Sequence, residues 1–240
     1  MLIAVINEST LVTNDQVNIM CQAIQQQANL HVLPAWNMKS GTVQFYADKT
    51  KVPGYAWKVS ILDNATVAGA LGYHSEDNNK VDGFIFCQTI LHYGGKTLYD
   101  AAKPQNFTVS SVLSHEVCEM IGDRFANFWA DGPAIAQGSE YALELCDPVE
   151  GDSYTINVNG TLVSVSNFVF PSWFNPQATA ALNKPFDYLN KLSAPFTMTP
   201  GGYMIVAQAG QVNQVFGESM PEWRREMKRA KFARNQRKRK

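Results

Sequence analysis

Within SHEVCEMIGD, residues 114–123, one imidazole and two carboxylates stand close together: His115, Glu116 and Glu119. On an α-helix, His115 and Glu119 lie one turn apart on the same face. A histidine and a carboxylate so placed give a divalent cation two ligands from a single helix. Glu116, the next residue along, adds a second carboxylate beside them. Around the same helix Val109, Val112, Leu113, Val117, Met120 and Ile121 form a broad apolar arc, with His115 and Glu119 at its margin and Glu116 within its near edge. A helix buried for packing alone gains nothing from such groups, because an unpaired buried charge is strongly unfavourable. A cation is a partner that would justify them. Thr108 or Ser110 is expected to cap the start of the helix, and Gly122 to end it in a left-handed conformation.

The motif continues into NFWADG at 127–132 and YALELCDPVEGDSY at 141–154, with SNFVFPSWF at 166–174 beyond. This series resembles zincin-type metallopeptidase-like proteins with an HExxE helix, found in tailed phages and prophages. The likeness runs from about residue 1 to 200 and is densest from 110 to 175. It implies an α/β (α+β) fold: a zincin-like domain over 1–200 with a mixed sheet and an active-site helix. It also implies that His115 and Glu119 bind a metal, zinc foremost, and that Glu116 takes a proton from water bound to that metal. A third ligand then comes from ELCD, residues 144–147, where Asp147 is slightly preferred over Glu144. If that segment is helical the two carboxylates share a face, and one can ligate while the other orients His115. If it is extended, only one of them reaches the metal. In the same likeness ALGYHS, residues 70–75, leads towards a substrate-binding edge strand.

One histidine and two carboxylates would neutralise a divalent ion and leave a weaker Lewis acid than a site with two histidines. Other divalent ions would then compete with zinc, and hydrolysis would need further help. Tyr154, Tyr73 or His74 could donate to an oxyanion, although each reads more simply as a packing or surface residue. His31 and His92 lack ligand spacing to the helix. Cys118 and Cys146 read as small buried apolar groups, and Phe168, Phe170, Trp173 and Phe174 as core closing over the site.

The elements that must hold these groups follow from periodicity. LIAVI at 2–6 reads as a buried strand and Asn14 to Gln27 as a helix with Val17, Ile19, Met20 and Ile24 inward. HVLPAW, VQFYA and WKVSIL read as three short strands, and VDGFIFCQ at 81–88 as another. Asn159 and Gly160 tolerate positive φ and mark a hairpin between YTINV and TLVSVS. A second hairpin is expected at 202–216, so 201–220 is read as a hairpin extension.

The chain has 240 residues, 45% apolar and 17% charged, enough for one substantial domain. Cys21, Cys87, Cys118 and Cys146 form no CxxC pair, and the opening MLIAVINEST lacks a basic segment before a long apolar core. Reduced thiols, a protein made in the cytoplasm and no membrane span are therefore expected. A net charge of -1 conceals an asymmetry: residues 221–240 hold ten of the twenty Lys and Arg against two Glu. A basic C-terminal helix from about Pro221 to Ala233, with Trp223, Met227 and Ala230 on one face, suits docking to another protein more than reading bases. With the resemblance, its expected partners are other subunits of a phage particle, nucleic acid being an alternative at the tail only, and its expected place is the virion. Two function classes stand: a metal-dependent peptidase or amide hydrolase acting on peptide or cell-wall substrates, and a non-catalytic structural or attachment protein that keeps the fold.

Overall fold

The computed structural model describes residues 1–217 apart from 68, 78, 79, 124 and 134–138; the basic helix expected at 221–233 lies outside the described residues. Five strands form a mixed sheet: β1 (Leu2–Asn7), β2 (Thr42–Tyr46), β3 (Trp57–Leu62), β4 (Gly72–Asp77) and β5 (Lys80–Phe86). Their order is β2-β1-β3-β5-β4, with β1, β2, β3 and β5 parallel and β4 antiparallel at the edge. Parallel neighbours bury both faces of a strand, and Ile3, Ala4 and Val5 of β1 are fully buried. The fold is thus mixed α/β around a mixed sheet, with antiparallel strands following, as expected at that coarser level.

Helix α1 (Asn14–Gln27) starts at Thr13, whose side chain and that of Gln16 close a capping box. The chain does not leave α1 for a strand at HVLPAW. It continues through a π-helical turn at Ala28–Val32 into α2 (Leu33–Ala35). The N–H of Leu33 reaches back to Ala28 O, five residues away, just before Pro34, which has no N–H to donate. The short window His31–Trp36 is apolar enough to suit a strand, but it continues the helical path of α1 and buries Val32 and Leu33 in the core.

After α3 (Cys87–His92) comes α4 (Val109–Gly122), which carries the motif and whose fourteen residues are all buried. It packs against β4 and β5 on the sheet, against α1, and against the hairpin described next. Thr108 is its cap: Ser111 N–H donates to Thr108 Oγ1 at 2.9 Å and Thr108 N–H to Ser111 Oγ at 2.8 Å. Gly122 does not end the helix in a left-handed turn. It is the last helical residue, with Asp123 at φ -127° and ψ 75° as cap, and a Cβ there would overlap Leu145. The glycine is needed for close approach, not for its backbone freedom.

The second half holds β6 (Trp129–Asp131), β7 (Glu140–Ala142), β8 (Ser153–Val158), β9 (Thr161–Ser166), β10 (Tyr203–Gln208) and β11 (Gln211–Phe216). Strands β8 and β9 form the hairpin turned by Asn159 and Gly160, both at positive φ. Strand β9 lies on α4 and β8 on α1. The β10–β11 hairpin joins β7 and β6 in a four-stranded antiparallel sheet. No helix among the described residues is long and apolar enough to cross a membrane.

Candidate metal centre

Helix α4 delivers three ionisable side chains into the interior: His115 is 6% exposed, Glu116 2% and Glu119 0%. Asp147 meets them from the far side. Its Oδ1 lies 3.1 Å from His115 Nε2, the same distance as Glu119 Oε1. Ligand atoms of His115, Glu119 and Asp147 all fall within 4.8 Å of one another. One imidazole and two carboxylates converging in a buried space suit a divalent cation in both number and chemistry.

Asp147 is placed by backbone bonds from distant segments. After β7 the chain turns at 143–146 and enters a single 3₁₀ turn, Asp147–Val149, with Pro148 in its first turn. Val169 N–H donates to Leu145 O at 2.8 Å and Thr199 N–H to Pro148 O at 3.0 Å, clamping both sides of Asp147. A Cβ at Gly202 would collide with Pro148 O, so a glycine is required where that segment presses on the turn. The clamp separates the two candidate carboxylates: Asp147 faces His115, while the charge of Glu144, itself 2% exposed, acts on a different histidine, His74.

His74 is the group that sequence reasoning undervalued. It is 3% exposed, with Nδ1 3.1 Å from Glu116 Oε2 and 3.7 Å from Glu119 Oε2. The cause is a matched register between β4 and α4. Gly72, without a side chain, lets Val112 approach to 3.1 Å of where its Cβ would stand. Two strand residues advance about 6.8 Å and four helix residues about 6 Å, so the pair Gly72 and Val112 is followed by the pair His74 and Glu116. A Gly-x-His strand facing a Val-x-x-x-Glu helix is the signal that could have found it.

The electrostatics of the two imidazoles agree with this geometry. Burial pulls the His115 pKa down, but the Glu119 charge and the bonds to Asp147 and Glu119 outweigh it, so it stands well above the usual imidazole value. Burial likewise opposes charge on His74, and its bond to Glu116 together with the charges of Glu144, Glu116 and Glu119 raises it. The negative surroundings that favour a proton on each ring would equally favour a cation in its place, the two competing for the same nitrogens.

The other candidates stand apart from the cluster. Tyr73, on the opposite side of β4 from His74, packs on Phe84 and Phe86 and bonds Thr66. Tyr154 Oη lies 2.8 Å from His31 Nδ1, and the His31 ring stacks on Tyr188. His92 packs edge-on against Tyr93. The four cysteines are free and buried. Phe168 and Trp173 are fully enclosed core side chains. A cleft of about 940 Å³ bordered by Met1, Leu33, Met38 and Trp57 touches α4 only at its end, through Ile121 and Gly122, and includes none of His74, His115, Glu116, Glu119 and Asp147.

Comparison of the chain with family models, with curated proteins and with solved structures returns no match.

Proposed function

We propose that the protein is a metal-dependent peptidase or related amide hydrolase of zincin-like architecture and phage association. The observation that carries this reading is the convergence of His115, Glu119 and Asp147 within 4.8 Å beside the carboxylate of Glu116. The motif helix packed on a mixed sheet whose edge strand runs antiparallel supports the zincin-like part.

His115, Glu119 and Asp147 would hold the cation, zinc foremost. Such an ion supplies Lewis-acid polarisation of a carbonyl and an acidified water. Glu116 takes up the proton released in the attack and passes it to the departing amine. His74, through Nδ1, holds the Glu116 carboxylate by Oε2 and sets its orientation. Glu144, whose charge acts on His74, would favour one orientation of that ring, as carboxylates near histidines do in metal sites. The basic segment 221–240 would attach the protein to other subunits of a phage particle.

Elemental analysis of the purified chain, with turnover of peptide and peptidoglycan substrates by wild type and Glu116→Gln, tests the reading. Bound metal in both with turnover in the wild type alone is the expected result. Absence of metal from the wild type would overturn it. A second reading, a structural virion component that keeps the metal without chemistry, is favoured by the burial of the cluster, where only the His115 side chain reaches 8% exposure. Metal in both proteins with turnover in neither would establish that reading instead.

A further inference from the structure

Glu119 belongs to two ligand groups at once. Its Oε1 lies 3.1 Å from His115 Nε2, and its Oε2 lies 3.7 Å from His74 Nδ1. His74, Glu116 and Glu119 form a second buried set whose ligand atoms also lie within 4.8 Å of one another. From this division of one carboxylate we propose that the protein holds a pair of divalent cations bridged by Glu119, with His115 and Asp147 completing one position and His74 and Glu116 the other. The inference rests on the metal-binding reading above and goes beyond its single ion.

The first argument is geometric. Paired-metal sites hold their ions about 3.5–4 Å apart, a spacing that the two oxygens of one carboxylate span when each faces a different ion. Each position then has one imidazole nitrogen, one carboxylate of its own and one oxygen of Glu119. A single ion would leave one of these two matched sets unused.

The second concerns His74. Its Nε2 is buried and has no hydrogen-bond partner among the described residues, whereas Nδ1 faces the two glutamates. A cation at Nδ1 fixes the ring proton on Nε2, on a ring where the charge of Glu144 acts. With Glu116 Oε2 on the second ion, the proton-accepting role falls to Oε1.

The test counts ions in the full chain after chelation and reloading with Mn²⁺. Two ions per wild-type chain, falling to one in His74→Gln and to one in His115→Ala, is the expected result. Electron paramagnetic resonance of the Mn²⁺-loaded wild type should show a spin-coupled pair, a readout that needs no variant to fold. One uncoupled ion in the wild type, retained in His74→Gln, would overturn the second position and leave the hydrolase reading intact. No ion in the wild type would overturn both, and one ion lost in His74→Gln would overturn the division of ligands.

Discussion

Ser114 donates its hydroxyl to Gln27 Oε1 at 2.6 Å and accepts the N–H of Ser166 at 2.9 Å, while Gln27 Nε2 donates to Ser166 O at 2.8 Å. This closed ring of bonds ties the end of α1, the motif helix and the end of β9 one residue before His115. Ser114→Ala leaves Gln27 Oε1 and the Ser166 N–H buried without that partner, a cost of about 1–3 kcal/mol. Urea denaturation should show a lower midpoint with an unchanged slope. The double variant with Gln27→Leu should lose less than the sum of the two single losses.

Gly122→Ala places a methyl group against Leu145, which is fully buried between Glu144 and Asp147. Overpacking of this kind destabilises by about 1–3 kcal/mol. Because Leu145 follows Glu144 directly and precedes Asp147 by two residues, relief by shifting the 144–147 turn would also misplace Asp147. Isothermal titration should therefore show weaker metal binding in Gly122→Ala, though no ligand has been altered.

Thr108→Ala removes the cap of α4, whose oxygen accepts the Ser111 N–H. The expected loss is about 1–2 kcal/mol, with Thr108→Ser close to wild type. The cap lies almost two turns before His115, so the metal content of both variants should equal that of the wild type by elemental analysis.

Stability should depend on pH in opposite senses with and without metal. His115 and His74 have folded pKa values raised above the unfolded value of about 6.5. Their protonation therefore contributes stability that is complete below that value and is lost as pH rises through the folded pKa values. Cations require the neutral rings, so metal affinity rises over the same interval. Melting temperature measured from about pH 6 to about pH 9 should fall in the presence of a chelator and rise with added zinc.

Local chemistry made α1, the Asn159–Gly160 hairpin and the helix bearing His115, Glu116 and Glu119 legible from the chain alone. Features decided by distant contacts were not. Gly122 has the composition of a helix stop, yet its neighbour is Leu145, and only packing shows that its missing side chain is what matters. The spacing of Glu144 and Asp147 leaves their roles open, and the separation comes from Val169 and Thr199 gripping the backbone between and after them. His74 lies 41 residues before His115 on a strand whose sequence resembles any half-buried edge; its place follows from how β4 lies along α4. At His31–Trp36 a window of six residues is too short to tell a strand from a helix that continues through a π turn.

Helix α4 is covered along its whole length by β4, β5, α1 and β9. Amides so enclosed exchange with solvent only when the structure opens as a whole. The ligands on that helix share its confinement, with His115 alone touching the surface. An ion held there would come and go by way of openings that bring these side chains to the surface, so its entry and release would be slower than at an exposed site while remaining open to prolonged chelation.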